Sequence, residues 1–332
     1  MPPQTPTDIP SAARAPVQRL LAADRRCNVG DPTAGVLLDR ARRGAVAARA
    51  PGGAVRRAEP GPCGPLVYEA RLDVNGLVLE VWGAPATPRA AAARALAAAA
   101  AWVGLDDRVE GFGDLVGAHP VLRALHRRLG TPRLSRLPRV GEAVGRAAIA
   151  QLVQTVEACR STAQVAALIG EPAGGGLWTW PTAKRVGSTP AWELRRCGVS
   201  LRGAQALHAA STAEARLSAA RGHWGVLDRR LRTLPGVGPW TSAETRLALG
   251  DPDAVSVGDY HLPTLIGTVL SGPAGDGADG AWTDAGMLAL LAPYQGQRGR
   301  VIRLVIAGLT AGLVRRPARR APRAALSRHR YW

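Results

Sequence analysis

Alternation of apolar and polar positions is sharpest between Leu66 and Gly83. The runs LVYEARL from Leu66 and GLVLEVWG from Gly76 are β-type, and Asp73-Val74-Asn75-Gly76 between them carries the Asn-Gly pair that favours a tight hairpin turn. A small antiparallel sheet is expected there. Further along, the period changes. Ala90 to Val103 reads as a helix, and from His119 onward helical spacing dominates, broken by Pro and Gly at 130–132, 172–176, 235–239 and 272–280. The expected fold class is therefore mainly α, with helical domains preceded by a small antiparallel β (α+β) N-terminal domain. Before Pro60 the chain mixes Pro, Gly, Ala and Arg with few aliphatic runs, a composition that struggles to offset chain entropy. Residues 1–60 are expected to form a flexible or partly ordered basic segment, 61–115 a small domain containing the β-hairpin, 116–310 the helical domain and 311–332 a basic tail.

Composition bounds the function. With 332 residues, 46% of them hydrophobic and 20% charged, the chain can bury one large core or two ordinary ones. Its formal charge of +18 comes almost wholly from arginine, since Lys184 is the single lysine. That charge sits at the ends: +5 over residues 1–60 and +10 over residues 298–332, with only +3 between. A GC-rich coding sequence produces such a profile by drift, whereas a polyanion partner would exploit it. Four cysteines, Cys27, Cys63, Cys159 and Cys197, lie far apart with no CxxC pair. A disulfide framework, a zinc site or a cysteine-held cluster is disfavoured, as is a metal site built on the six scattered histidines. No apolar run is long enough to cross a bilayer. No membrane association and a cytoplasmic location are expected.

One segment stands apart. In Leu234-Pro235-Gly236-Val237-Gly238-Pro239-Trp240-Thr241, two glycines spaced by one residue let the backbone turn tightly, and the following helix presents unpaired N–H groups at its positive end. Such a turn can hold a phosphate without any side chain, although an ordinary connection between two helices has the same outline. Nineteen residues after Trp240, within Ala254-Val255-Ser256-Val257-Gly258-Asp259-Tyr260, comes Asp259. Its plain alternative is a cap for the helix His261 to Val269.

Together these residues resemble the helix-hairpin-helix DNA glycosylase superfamily, and within it the 3-methyladenine DNA glycosylase II branch. Gln151, Glu157-Ala158, Pro190-Ala191-Trp192, Cys197-Gly198-Val199 and Pro293-Tyr294 followed by Arg298 match that branch as well. The resemblance covers about His119 to Leu304. It implies that Asp259 is the catalytic carboxylate and that Leu234, Pro235, Gly236, Val237, Gly238, Trp240 and Thr241 contact the DNA backbone. A monovalent cation shared between hairpin carbonyls and a phosphate is also implied, with no catalytic metal and no required cofactor. The partner would be double-stranded DNA containing damaged bases, the protein a nucleoid-associated monomer, and the reaction base excision on a flipped-out nucleotide.

Chemistry narrows this further. Cleavage of an N-glycosidic bond builds positive charge on the sugar, which a fixed carboxylate can stabilise while it positions or deprotonates water. Lyase relatives need an amine on the second hairpin helix; here that position is Trp240. A monofunctional glycosylase that leaves an abasic site is the consistent reading. Alkylated purines are cationic and suit indole faces, so Trp240, Tyr260, Gln151 and Trp192 are the base-pocket candidates, with Trp178 and Trp180 behind them and core packing as their alternative role. The resemblance also implies an intercalating wedge, and counting back from Gln151 places Leu134 near that branch's wedge position, with Leu137 as a second choice. Arg298 and Thr241 could reach phosphates. Two other readings stay open: a non-catalytic hairpin protein that binds DNA, and a glycosylase for a different lesion. Gln154, where a small hydroxyl residue is expected, and the polar Glu244 and Arg246 on the second hairpin helix depart from the branch.

Overall fold

The structure is a computed structural model and describes residues 44–50, 53–73, 76–272 and 282–315. Strands β1 (Ala47–Arg49), β2 (Val55–Glu59), β3 (Leu66–Asp73) and β4 (Gly76–Trp82) form one antiparallel sheet in chain order. The expected hairpin is β3–β4, whose last pair is Asp73 with Gly76. Helix α1 (Arg89–Trp102) covers the sheet, burying Ala92, Leu96 and Trp102 against Tyr68, Leu77, Leu79 and Val81.

The sheet starts earlier than the hydrophobic pattern indicates. β1 and β2 both lie before Pro60, so ordered structure begins by Gly44 and the boundary at residue 61 falls inside the sheet domain. The physical reason is β2 itself, Val55-Arg56-Arg57-Ala58-Glu59. Its charges hide the strand pattern, yet Arg57 and Glu59 are buried and paired with each other. Partners far along the chain, Glu142 for Arg57 and Arg139 for Glu59, complete the pairing that makes that burial tolerable. Residues 1–43 and the tail beyond Arg315 lie outside the described residues.

Twelve helices follow among the described residues: α2 (Phe112–Gly117), α3 (Pro120–Leu129), α4 (Val140–Ile149), α5 (Thr155–Ile169), α6 (Ala183–Ser188), α7 (Ala191–Arg196), α8 (Leu201–Ser218), α9 (Trp224–Arg232), α10 (Pro239–Ala248), α11 (Leu262–Ser271), α12 (Asp284–Leu291) and α13 (Arg298–Thr310). A short two-stranded ribbon, β5 (Pro172–Gly174) with β6 (Leu177–Trp178), lies between α5 and α6. Helices α4, α8, α9 and α10 share one core, through Val144, Ala210, Leu217, Leu227, Leu231 and Leu249. Helices α2, α3, α11, α12 and α13 share another, through Phe112, Leu125, Ile266, Met287, Leu291 and Val305. The chain passes from the first core to the second between α10 and α11, and Asp259 lies on that passage.

Sheet and helices are joined by a buried ionic cluster. Arg57 on β2 donates to Glu59 and to Glu142 of α4, Arg139 donates to Glu59 at 3.1 Å, and Arg146 donates to Glu142 at 2.7 Å. Burial pushes the Glu142 carboxyl up, but the charges of Arg57, Arg146 and Arg139 outweigh it and hold the group at about 2.

Candidate nucleic-acid interface and catalytic carboxylate

The turn between α9 and α10 is built from two buried anchors and an exposed backbone. Leu234 and Val237 insert their side chains into the core, while Pro235, Gly238 and Pro239 face outward. Leu234 and Val237 can therefore offer a ligand only their main chain. Pro239 opens α10, where its missing N–H costs nothing and its φ suits a first helical turn. The N–H groups of Trp240 and Thr241 have no partner within α10, as in any first turn, and stand beside the exposed Gly238.

Gly236 is required by the geometry. Its φ is +79°, and a Cβ there would sit 2.5 Å from the Arg202 carbonyl oxygen. Gly236→Ala is expected to cost about 2 kcal/mol or more and to weaken DNA binding. Gly238→Ala is the control, since Gly238 has φ −94° and nothing within 4 Å of its Cβ position. Thermal unfolding of both variants, with DNA titration by fluorescence anisotropy, separates the two.

Asp259 serves two structures at once. Its Oδ1 accepts from the backbone N–H of His261 at 2.8 Å and Leu262 at 2.9 Å, capping α11, while Oδ2 accepts from the indole Nε1 of Trp240 at 3.1 Å. The helix-cap reading is thus met by one oxygen, and the other is tied to the hairpin helix. An ionised carboxylate has about four acceptor positions. Three are filled here, which leaves about one for a water or for a cationic sugar. Tyr260 stands next to it, its ring edge-on to His261 with centroids 4.8 Å apart.

The passage carrying Asp259 is braced by side chains that the sequence offers no way to pair in advance. Ser256 donates to Glu244 of α10, and the Gly258 N–H donates to Asp284 Oδ2 at 3.0 Å. Arg246 pairs with Asp251. The polar face of α10, a departure from the branch in sequence, is in the fold a set of braces for this passage. Missing them is understandable, because each partner comes from a separate turn or helix and carries no motif.

Several sequence-based assignments change. Leu134 is 4% exposed and its N–H is held by Asp107 at 2.8 Å, and Leu137 is also buried, so neither can enter a duplex. An exposed apolar residue next to Gln151 is Leu152, at 71% exposure and φ +56°. A left-handed backbone costs a leucine about 1 kcal/mol or more. No pattern marks this residue; only the backbone and its exposure do. Gln151 is not free for a base: its Nε2 donates to the Gly236 carbonyl at 2.7 Å and to Thr241 Oγ1 at 2.8 Å. Thr241 is correspondingly buried, and only its N–H remains to meet a phosphate. Arg298 grips Asp253 with three hydrogen bonds, one of 3.1 Å through its backbone N–H, one of 2.8 Å through Nε and one of 2.5 Å through a terminal nitrogen, and is not a free phosphate ligand. Burial pushes Asp253 up, yet the hydrogen bonds from Arg298 and the Gly296 N–H and the Arg298 charge hold it below the usual carboxylate range. Trp180 is buried, with Arg146 5.9 Å from its ring centroid, whereas Trp192 is 58% exposed on α7 and enters no core. Trp178 is partly buried against the core of α5 to α8. A pocket of about 390 Å³ behind the passage, lined by Trp224, Arg246, Asp251, Asp253 and Arg298 among others, includes neither Asp259 nor Trp240 and is no base pocket.

Comparison with known proteins fits this geometry. No protein-family model matches the chain. Over 163 residues it is 30% identical to the probable bifunctional transcriptional activator/DNA repair enzyme AlkA of Mycobacterium tuberculosis, a match covering 48% of this chain and 33% of that protein. The chain thus matches about a third of that relative's length. The 3-methyladenine DNA glycosylase of Archaeoglobus fulgidus superposes with a TM-score of 0.64 at 17% identity, covering 81% of this chain and 91% of the other. The 8-oxoguanine glycosylase/lyase of Clostridium acetobutylicum, in complex with double-stranded DNA, gives 0.61 at 12% identity over 90% and 99%. The architecture, a small antiparallel sheet followed by helices with a hairpin between α9 and α10, is the fold these two solved glycosylases share.

Proposed function

We propose that the chain is a monofunctional DNA glycosylase of base excision repair that hydrolyses the N-glycosidic bond of alkylated purines and leaves an abasic site. The observation that carries this is the Trp240–Asp259 hydrogen bond, which ties an indole on the hairpin helix to the carboxylate on the passage. An amine is needed to form a Schiff base with the sugar, and the hairpin helix offers an indole instead. The single lysine of the chain, Lys184, is exposed on α6. Water is then the nucleophile, and Asp259, with about one acceptor position open, would orient it and stabilise the cationic sugar. A base carrying positive charge, as 3-methyladenine and 7-methylguanine do, is favoured beside the electron-rich faces of Trp240 and Tyr260.

DNA is the natural substrate for the rest of this face. The N–H groups of Gly238, Trp240 and Thr241 are suited to grip a phosphate at the positive end of α10. Leu152 is suited to fill the stack after the base leaves, a role in which apolar side chains recur. The monovalent cation implied by the resemblance requires hairpin carbonyls. That of Gly236 is turned to Gln151, and that of Val237 has no donor among the described residues, so an acceptor remains for it.

Release of free bases from randomly methylated DNA tests this reading. The expected products are 3-methyladenine or 7-methylguanine, with strands breaking only after alkali or heat. Release of 8-oxoguanine, or a borohydride-trapped covalent complex, would replace the reading with an oxidised-base lyase.

A further inference from the structure

The loop from Ala150 to Gln154 joins α4 to α5 and carries Leu152 in a conformation that leucine disfavours, with its side chain in solvent. Such a conformation persists only where its neighbours fix it. On one side Glu157 accepts from the Gln154 N–H at 3.1 Å. On the other, the Gln151 amide reaches across 85 residues to the Gly236 carbonyl and 90 to Thr241 Oγ1. Gly236 is itself closely packed, since a Cβ there would lie 2.5 Å from the Arg202 carbonyl oxygen.

We propose that Gln151 is a positioning residue that locks the Leu152 loop to the hairpin, so that gripping the backbone phosphate also sets where the leucine enters the duplex. This rests on the reading of the hairpin and Leu152 as DNA-contacting elements. The two elements belong to different helix pairs, α4–α5 and α9–α10, and Gln151 donates both to the hairpin turn, at Gly236, and to the first turn of α10, at Thr241. Ordering the loop in the free protein removes that cost from the binding step. Without the amide, hairpin binding continues, but the loop must order on the DNA and the leucine enters less often.

A double-mutant cycle tests the coupling. Wild type, Gln151→Leu, Leu152→Ala and the double variant are titrated onto a duplex with an uncleavable abasic analogue and 2-aminopurine beside it. The 2-aminopurine signal reports unstacking, and anisotropy at one fixed salt concentration reports binding. Gln151→Leu is expected to lower the unstacking equilibrium about tenfold with binding changed less than threefold, and to have no further effect in the Leu152→Ala background. An equal effect in both backgrounds, or none in the first, overturns the proposal. Should Gln151→Leu fail to fold, Thr241→Val removes one of the two acceptors and is expected to give the same pattern at reduced size; additivity there is equally fatal. The readout needs no bond cleavage, so inactivity on methylated DNA would refute the glycosylase reading while leaving the cycle to decide this one.

Discussion

On the proposed reading, Asp259→Asn is expected to bind damaged DNA and to release base about 10³-fold more slowly than wild type. The change removes the negative charge that opposes the developing sugar cation, and electrostatic groups aimed at such charge contribute about 10²–10³ in rate, with general-base assistance adding to that. It also disturbs the geometry. The substituted amide would keep one acceptor oxygen and gain an NH₂ that faces either the α11 N–H groups of His261 and Leu262 or the Trp240 indole, all of which are donors. The cap uses two bonds and the indole one, so the amide is expected to keep the cap and release Trp240, at a stability cost of about 1 kcal/mol. Single-turnover base release, DNA affinity and indole fluorescence measure the three effects. Activity within tenfold of wild type would remove Asp259 from the catalytic role.

The second large effect is on stability. Glu142→Leu leaves Arg57 buried with only Glu59 beside it and is expected to destabilise the fold by about 3–5 kcal/mol, whereas Arg57→Leu together with Glu142→Leu costs less than either change alone. Denaturant unfolding of the three variants gives the comparison. Acid provides an independent check. The Glu142 carboxyl is held at about 2 in the fold against an ordinary 4.5, so its contribution is fully present above about pH 4.5 and is lost as pH falls towards 2. Thermal midpoints measured from pH 7 to pH 3 should therefore drop less steeply for Glu142→Leu than for wild type. Because α4 runs from this cluster into the loop bearing Gln151 and Leu152, the junction of sheet and helices also supports the end of the molecule that carries that loop.

Periodicity and turn chemistry make the β3–β4 hairpin, α1, and the α9–turn–α10 unit legible in the sequence, because each is encoded by neighbours in the chain. The helix-hairpin-helix outline and the spacing from Trp240 to Asp259 are legible for the same reason. Strands β1 and β2 are not, since their burial depends on Arg57 meeting Glu142, 85 residues away. Counting along the chain points to Leu134, but it does not reveal which leucine the fold exposes, and the side chains of Arg298 and Thr241 are engaged by Asp253 and Gln151.

What the amino-acid order determined by itself is the local grammar: which runs alternate, where helices begin, that Gly236 must turn and that the chain has no amine at the hairpin helix. Those are properties of φ/ψ preference and side-chain chemistry that need no distant partner. Tertiary structure alone decided how the functional groups are disposed. It gave Asp259 one oxygen for the α11 cap and one for the Trp240 indole, turned Gln151 from a base towards the hairpin, and left Leu152 in solvent on a strained backbone. Hydrogen bonds and burial between segments far apart in the chain set each of these, and no local pattern records them.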